Sequence, residues 1–352
     1  MGSKKHIIVG GVKVGGGAPI RLQSMTNTIT SDVEATAGQI NRLSSLGCEI
    51  IRVAVPDIAS ANAIYDLKKQ ISIPLVADIH FDHMLAIRSV EAGADKIRIN
   101  PGNFGSEEHV KSVIALCKKK NIPIRIGVNS GSVDVKILAK YGRICVEAVC
   151  ESALEYVRLL NRFDFDDICL SVKCSSVSMT ISAYRMLNEK TTHPLHLGVT
   201  EAGTEYMGII KSSIGIGALL ADGIGDTIRV SLTEQPEKEV LAGDAILRAL
   251  DLRDGYNLIS CPTCGRCKID LIPLAHEVER RLELLGKMGK KISVAVMGCA
   301  VNGPGEASAA DYGIAGGDGE GILFKKGKII GKAPMEKLVE ELFALIDNTE
   351  QH

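Results

Sequence analysis

Eight short runs rich in β-branched residues recur through the first two-thirds of the chain, at 20–25, 49–55, 74–80, 96–100, 123–129, 167–174, 194–200 and 227–233. Most start 22 to 33 residues apart, with one longer gap before the sixth. Helical patterns lie between them. In the first, over 32–46, Val33, Ala37, Ile40, Leu43 and Leu46 share one face, Ser31 and Glu34 form a capping box, and Gly47 can end the helix. Eight strand-helix units within about 250 residues predict a (β/α)8 TIM-type barrel, with a doubly wound open sheet as the competing architecture. The Gly-x-Gly at 215 and 217 is no dinucleotide fingerprint, because Leu220 stands where its third glycine belongs.

The ends of these strands carry unusual residues. The fourth brings Arg98 and Asn100, the fifth Arg125 and Asn129, the sixth Ser171 and Lys173, and the eighth Arg229 and Ser231. Spacings of two and four keep such pairs on one side of a strand, so in a barrel they point inward together. Gln23, Arg52, Asp78, His80, Thr200 and Glu201 add to the same rim, where barrel enzymes hold their active sites. Any single strand-end arginine is as readily a paired structural charge. Five strands each bringing Arg or Lys outnumber Asp78 and Glu201, and a dianionic phosphate ester or diphosphate would balance them through charge-assisted hydrogen bonds worth roughly 1.5–3 kcal/mol each. His83 and His109 read as surface groups without partners, and His196 as a satisfied interior histidine.

Composition bounds the rest. With 45% apolar residues, 4% aromatics and no tryptophan in 352 residues, the core is aliphatic, as in parallel α/β proteins. A formal net charge of −1 gives no basic field for nucleic acid. No run of signal-peptide or membrane-span length is evident, and ten cysteines without an export signal point to a reducing cytoplasm, where paired thiols mean metal or redox chemistry.

After a closing helix at 237–250 a second domain is expected, giving a barrel over 1–251 and a small α+β unit over 252–352. Its predicted elements are a strand at 256–259, helix 269–285, strand 292–297, a hairpin of 321–325 and 328–330 turning over Lys326 and Gly327, and a last helix at 335–346. Between them lie Cys-Pro-Thr-Cys at 261–264 and Gly-Cys-Ala-Val-Asn-Gly-Pro-Gly-Glu at 298–306. Zinc would take Cys261, Cys264, Cys267 and Cys299. An iron-sulfur cubane would take Cys261, Cys264 and Cys299, with Cys267 or Glu306 as fourth ligand. A disulfide or idle thiols is the third option. The eighth helix leads away from the barrel's mouth for about 20 Å at 1.5 Å per residue. A metal domain that touches a ligand in the mouth must therefore swing a long way or come from a second copy, and a head-to-tail homodimer with shared active sites is expected.

Eight ordered motifs, at 23–28 (QSMTNT), 76–82 (VADIHFD), 97–103 (IRINPGN), 122–129 (IPIRIGVN), 196–203 (HLGVTEAG), 223–232 (GIGDTIRVSL), 261–264 and 298–307, together resemble the 4-hydroxy-3-methylbut-2-enyl diphosphate synthase family of the non-mevalonate isoprenoid pathway, in its short bacterial two-domain form. The resemblance implies a reductive ring opening and dehydration of 2-C-methyl-D-erythritol 2,4-cyclodiphosphate, with two electrons delivered by ferredoxin or flavodoxin through a [4Fe-4S] cluster. It also implies cluster ligands at Cys261, Cys264, Cys299 and Glu306, and a proton donor at Glu201. The diphosphate would lie among Arg98, Arg125, Lys173, Arg229 and Ser231, with Arg52, Asp78, Asn100, Asn129 and Thr200 around the carbon skeleton. Cys267 is outside the family pattern and offers the cluster a rival fourth ligand. From other reaction classes stand a Schiff-base lyase attacking through Lys173 over a zinc-held small domain, and an iron-sulfur carrier, for which a basic mouth has no use.

Overall fold

In a computed structural model, which describes residues 2–99, 106–267, 269–287, 291–299 and 303–349, each of the eight runs becomes a strand. After a short N-terminal pair, β1 (His6–Val9) and β2 (Val12–Gly15), come β3 (Arg21–Met25), β4 (Ile50–Ala54), β5 (Leu75–Ile79), β6 (Lys96–Ile99), β7 (Ile124–Asn129), β8 (Ile168–Lys173), β9 (His196–Leu197) and β10 (Thr227–Ile228). The strands of this eight-stranded sheet run parallel in the order β8-β7-β6-β5-β4-β3-β10-β9. A bridge between Leu170 and Leu195 draws its two edges together, with the Leu170 N–H donating to the Pro194 carbonyl at 2.8 Å. The sheet is a barrel, and the open-sheet alternative falls away.

The helices between and after the strands are α1 (Val33–Ser45), α2 (Ile58–Gln70), α3 (His83–Glu91), α4 (Glu107–Lys120), α5 (Val135–Tyr141), α6 (Val146–Asn161), α7 (Val177–Lys190), α8 (Glu205–Ala221) and α9 (Pro236–Ala249). Asp32, Asp57, Asp82, Ser106, Asp134 and Ser176 each accept a backbone N–H of the turn that follows, a cap worth about 1 kcal/mol. At α1 the cap is Asp32, which accepts from Ala35, rather than the expected Ser31. Gly47, at φ +103°, ends the turn after α1 in a conformation that favours glycine.

Two features depart from the expected strands. The pair β1–β2 was not foreseen. It turns over Gly10 and Gly11, both at positive φ as a two-residue hairpin demands, and packs Ile7, Val9 and Val14 against Ile50, Val76 and Cys169, closing one end of the barrel. Regular pairing in the last two strands stops at Leu197 and Ile228, well short of the expected 200 and 233. Just beyond, at Gly198, the backbone passes close to its neighbours: a Cβ there would stand 2.7 Å from the Arg229 carbonyl and 2.6 Å from the Lys173 amine.

The chain divides into Met1–Leu250 and Asp251–His352. The second unit holds β11 (Tyr256–Ser260), α10 (Leu271–Lys287), β12 (Ile292–Met297), α11 (Gly303–Glu306), β13 (Tyr312–Ala315), β14 (Glu320–Lys325), β15 (Lys328–Pro334) and α12 (Leu338–Thr349). Its sheet runs β11-β12-β13-β14-β15, parallel through β13 and antiparallel after it. Leu271, Val278 and Leu282 of α10 and Leu338, Leu342 and Ile346 of α12 pack with Val294 and Val296, while Ala295, Met297, Ala315 and Phe324 form a second cluster. Strand β13 was missed by pattern because Gly313 interrupts it. The Phe324 ring occupies the place of a side chain there, within 2.2 Å of where a Cβ would be. The last helix begins as a 3-10 turn at Met335–Lys337. No helix among the described residues is long and apolar enough to cross a membrane.

Candidate active site

Register explains how the basic residues meet. Asp78 pairs across the ladder with Arg98, Arg98 with Arg125, and Asn129 with Lys173, so side chains of the same parity share the barrel's interior face. They line a cavity of about 280 Å³, small and polar beside a typical drug-sized pocket. Of the residues expected at the substrate, Arg52, Asp78, Arg98, Arg125, Asn129, Lys173, Thr200, Arg229 and Ser231 form its wall, joined by Met25, His80, Gly127 and Ser171. Asn100 lies outside the described residues. Gly127 makes room for Arg98, since a Cβ there would stand 2.7 Å from Nε.

Asp78 organises this wall. It is 4% exposed and accepts from Arg98 Nη1 at 3.0 Å, with Arg52 Nε at 3.6 Å and His80 Nε2 at 3.5 Å. Burial alone would raise its carboxyl, but Arg52, a hydrogen bond with His80 and then Arg98 and Arg125 hold it well below the usual carboxylate range. Arg52 also donates to the Met25 sulfur. Elsewhere the cations are under-compensated. Burial, then Arg98, lowers Arg125 to about 10. Burial, then Arg125 and Arg229, lowers Lys173 well below the usual amine range. The Lys173 amine sits 3.3 Å from His196 Nε2, and His196 Nδ1 is 2.8 Å from the Thr227 hydroxyl. The expectation of a satisfied interior histidine therefore holds. Arg125 Nε and Nη1, Arg98 Nε and Arg229 Nε are buried with no hydrogen-bond partner.

The second counter-charge is not the expected one. Glu201 follows Thr200, is exposed, takes a left-handed φ of +53° and does not line the cavity. Glu239 of α9 is 5% exposed, with Oε2 3.7 Å from Arg229 Nη2. Pattern had no way to mark it, since acidic residues in a first helical turn ordinarily serve the helix dipole. His83 and His109 are likewise not isolated: their rings stack at 3.7 Å, 5° from parallel, across α3 and α4.

In the second unit, β11 and β12 run side by side with Ser260 opposite Val296, so Cys261 and the 298–299 segment leave the sheet at the same end. The Gly298 N–H donates to the Cys261 sulfur at 3.1 Å, and a Cβ on Gly298 would stand 2.6 Å from the Cys267 sulfur. Cys264 is exposed on a turn closed by the Cys267 N–H donating to its carbonyl at 2.9 Å. Its thiol is lowered from the usual range, first by the Arg266 backbone N–H. The thiols of Cys261, Cys264, Cys267 and Cys299 are all free of disulfides. Glu306 ends α11 and is exposed. Among the described residues, no three His, Cys, Asp or Glu side chains converge tightly enough to hold a single metal ion.

The chain matches the GcpE TIM-barrel domain over residues 4–244 and the GcpE protein C-terminal domain over 257–348. It is 57% identical over 339 residues to a 4-hydroxy-3-methylbut-2-en-1-yl diphosphate synthase (flavodoxin) of Fusobacterium nucleatum, covering 96% of this chain and 95% of that one. The enzyme of the same name from Caldanaerobacter subterraneus is 60% identical over 344 residues, covering 97% and 96%. Among solved structures, dihydropteroate synthase from Stenotrophomonas maltophilia is similar with a TM-score of 0.52 at 13% identity, covering 70% of this chain and 97% of that one, a likeness of fold alone. With both units matched and relatives aligned over nearly the whole length, the chain belongs to the GcpE family of 4-hydroxy-3-methylbut-2-en-1-yl diphosphate synthases.

Proposed function

We propose that the chain opens 2-C-methyl-D-erythritol 2,4-cyclodiphosphate reductively to (E)-4-hydroxy-3-methylbut-2-enyl diphosphate. The tertiary C–O bond to the bridging phosphate breaks and the neighbouring hydroxyl leaves as water, with two electrons and one net proton consumed. One observation carries the barrel's part: Arg125 is buried with two donors unpartnered, beside the equally unpartnered Nε atoms of Arg98 and Arg229. Buried charged donors without acceptors are costly, and the oxygens of a diphosphate supply acceptors of the right charge. Arg98, Arg125, Lys173, Arg229 and Ser231 hold the diphosphate, and Arg52, Asp78, Asn100, Asn129 and Thr200 surround the carbon skeleton. Glu201, on the exposed turn after Thr200, gives the proton to the leaving oxygen.

A [4Fe-4S] cluster, bound by Cys261, Cys264, Cys299 and Glu306, would supply the electrons and one iron open to a substrate oxygen, because a carboxylate is a harder and weaker iron ligand than thiolate. The loops suit such a group. Their thiols are free, and side-chain-free Gly298 brings backbone and an N–H against the Cys261 sulfur, the kind of close approach that cluster sulfurs require. The relatives' names support flavodoxin as the donor, with ferredoxin as the alternative. Each mouth is completed by the second unit of another copy in a head-to-tail homodimer, the assembly expected from the length of the eighth helix in the sequence. Mixing a Glu201 variant with a Cys264 variant restores activity if sites are shared, and no recovery under subunit exchange overturns the sharing of sites between chains.

The deciding experiment is anaerobic purification with assay of iron and sulfide, then product analysis with the cyclic diphosphate and a chemical reductant. A brown, reductant-bleached protein that forms the linear diphosphate is expected. A colourless zinc protein overturns the proposal.

A further inference from the structure

We propose that Glu239 is the resident counter-ion of Arg229, displaced from that role when the diphosphate enters, and that its buried carboxylate then takes up a proton. This rests on the reading of the mouth as a diphosphate site. The two oxygens of Glu239 do different things. Oε1 accepts the Leu232 N–H at 2.9 Å and so fixes the loop that follows Arg229 and Ser231. Oε2 has no hydrogen-bond partner and lies 3.7 Å from Arg229 Nη2, an ion pair too long to be a hydrogen bond. Arg229 in turn has an unpartnered Nε and lines the cavity. Phosphoryl oxygens would offer this guanidinium short, charge-assisted bonds that Glu239 does not provide.

The cations facing Glu239 are Arg229 on the segment after β10, Lys173 on β8 and Arg52 on β4, with the Leu232 N–H from the adjoining loop. All three cations also line the cavity, so a ligand's negative charge cancels the field that keeps the carboxylate ionised. Burial already raises the Glu239 carboxyl, with Arg229, the Leu232 N–H, Lys173 and Arg52 working against it. Removing that opposition raises it further, so binding draws in a proton, and by linkage binding tightens as pH falls. The cyclic ligand does not compete as the proton's destination, because each of its phosphoryl groups carries one strongly acidic proton and is ionised throughout.

Calorimetry of the cyclic diphosphate with the cluster-loaded protein, kept without reductant, in two buffers of different ionisation enthalpy between about pH 6 and 8, reads proton uptake directly. Wild type is expected to take up more protons per ligand than Glu239→Gln, by up to one, with the difference growing as pH falls. Glutamine keeps an acceptor for Leu232, and Glu239→Asp, which keeps the carboxylate, is expected to retain uptake. Equal uptake by wild type and Glu239→Gln, with both binding, overturns the inference and leaves the diphosphate reading standing. Absence of binding heat from wild type overturns that reading and the inference together. Should Glu239→Gln fail to fold, zero uptake by wild type across the range also overturns it.

Discussion

The barrel mouth and the cysteine loops are built on opposite principles. In the mouth, charged side chains are locked on strands, buried and crowded, and Arg125 and Lys173 are held below their ordinary values by burial and by one another. In the loops the candidate ligands lie outside the strands, the cysteines on connecting segments and Glu306 at the end of α11, and Cys264 and Glu306 are exposed. The mouth stores electrostatic strain against a scaffold of buried Val and Ile, which a bound anion would relieve. The loops are open by comparison, and a group bound there would itself have to complete their geometry. Polar preorganisation is the costly part of a site, and here it falls on the half proposed to hold the substrate.

The largest expected effect tests the loops. Cys264→Ser is expected to lose iron, acid-labile sulfide and turnover together, while circular dichroism stays that of the wild type, because the exposed side chain supports no core. Iron retained at the wild-type level would remove Cys264 from the ligand set.

The matching test of the mouth is Asp78→Asn. Taking the counter-charge from Arg52 and Arg98 breaks a buried pair, a loss of about 3–5 kcal/mol. The pH dependence has a definite sign. The folded carboxyl lies below its unfolded value of about 3.9, so its stabilisation is complete above about pH 5 and is lost as pH falls toward the folded value. Urea midpoints of wild type should fall in acid more steeply than those of Asp78→Asn. Parallel curves would mean that Asp78 is not the electrostatic anchor.

These two halves were not equally legible in the sequence. The barrel could be read because buried parallel strands leave continuous aliphatic runs, and its site because alternate residues on neighbouring strands share a face, so Arg98, Arg125, Lys173 and Arg229 could be grouped before any contact was known. What escaped was set by tertiary reach. Glu239 comes to Arg229 from a helix, His83 meets His109 across two helices, and the β1–β2 hairpin is identified by the barrel end it fills rather than by its own four-residue strands. Spacing named the thiols of the second unit, but left the choice between Cys267 and Glu306 open.

A third variant probes the strain beneath the mouth. Lys96, two residues before Arg98 and on the same face of β6, is fully buried with its amine unpartnered, and burial, with Arg125 and Arg52 adding to it, lowers it to about 8. Its folded value lies below the unfolded value of about 10.4, so the penalty of its charge is fully present below about pH 8 and is relieved as pH rises toward 10. Lys96→Met should therefore be more stable than wild type at neutral pH, by up to about 3 kcal/mol, with the advantage shrinking in alkali. Denaturant unfolding at pH 7 and at about pH 9.5 checks this, and a destabilised Lys96→Met would show that the buried amine has a stabilising partner.

The smallest expected effect sharpens the contrast most. Cys267 lies three residues beyond Cys264, with its sulfur against Gly298, so by position alone it competes with Glu306. Its thiol, however, donates to the Ile269 carbonyl at 3.2 Å and is partly buried against the core of the second unit, alongside Leu274 and Ala275. That bond turns the sulfur toward the Ile269 carbonyl, whereas a cluster ligand must turn its sulfur to iron. Cys267→Ser replaces that S–H by an O–H able to make the same bond, so iron content, the cluster's visible spectrum and turnover should all stay at wild-type levels. Loss of iron or a changed spectrum would move the fourth ligand from Glu306 to Cys267. The loops would then be a four-thiolate site suited to plain electron transfer, and the open iron proposed for this centre would have no place in them.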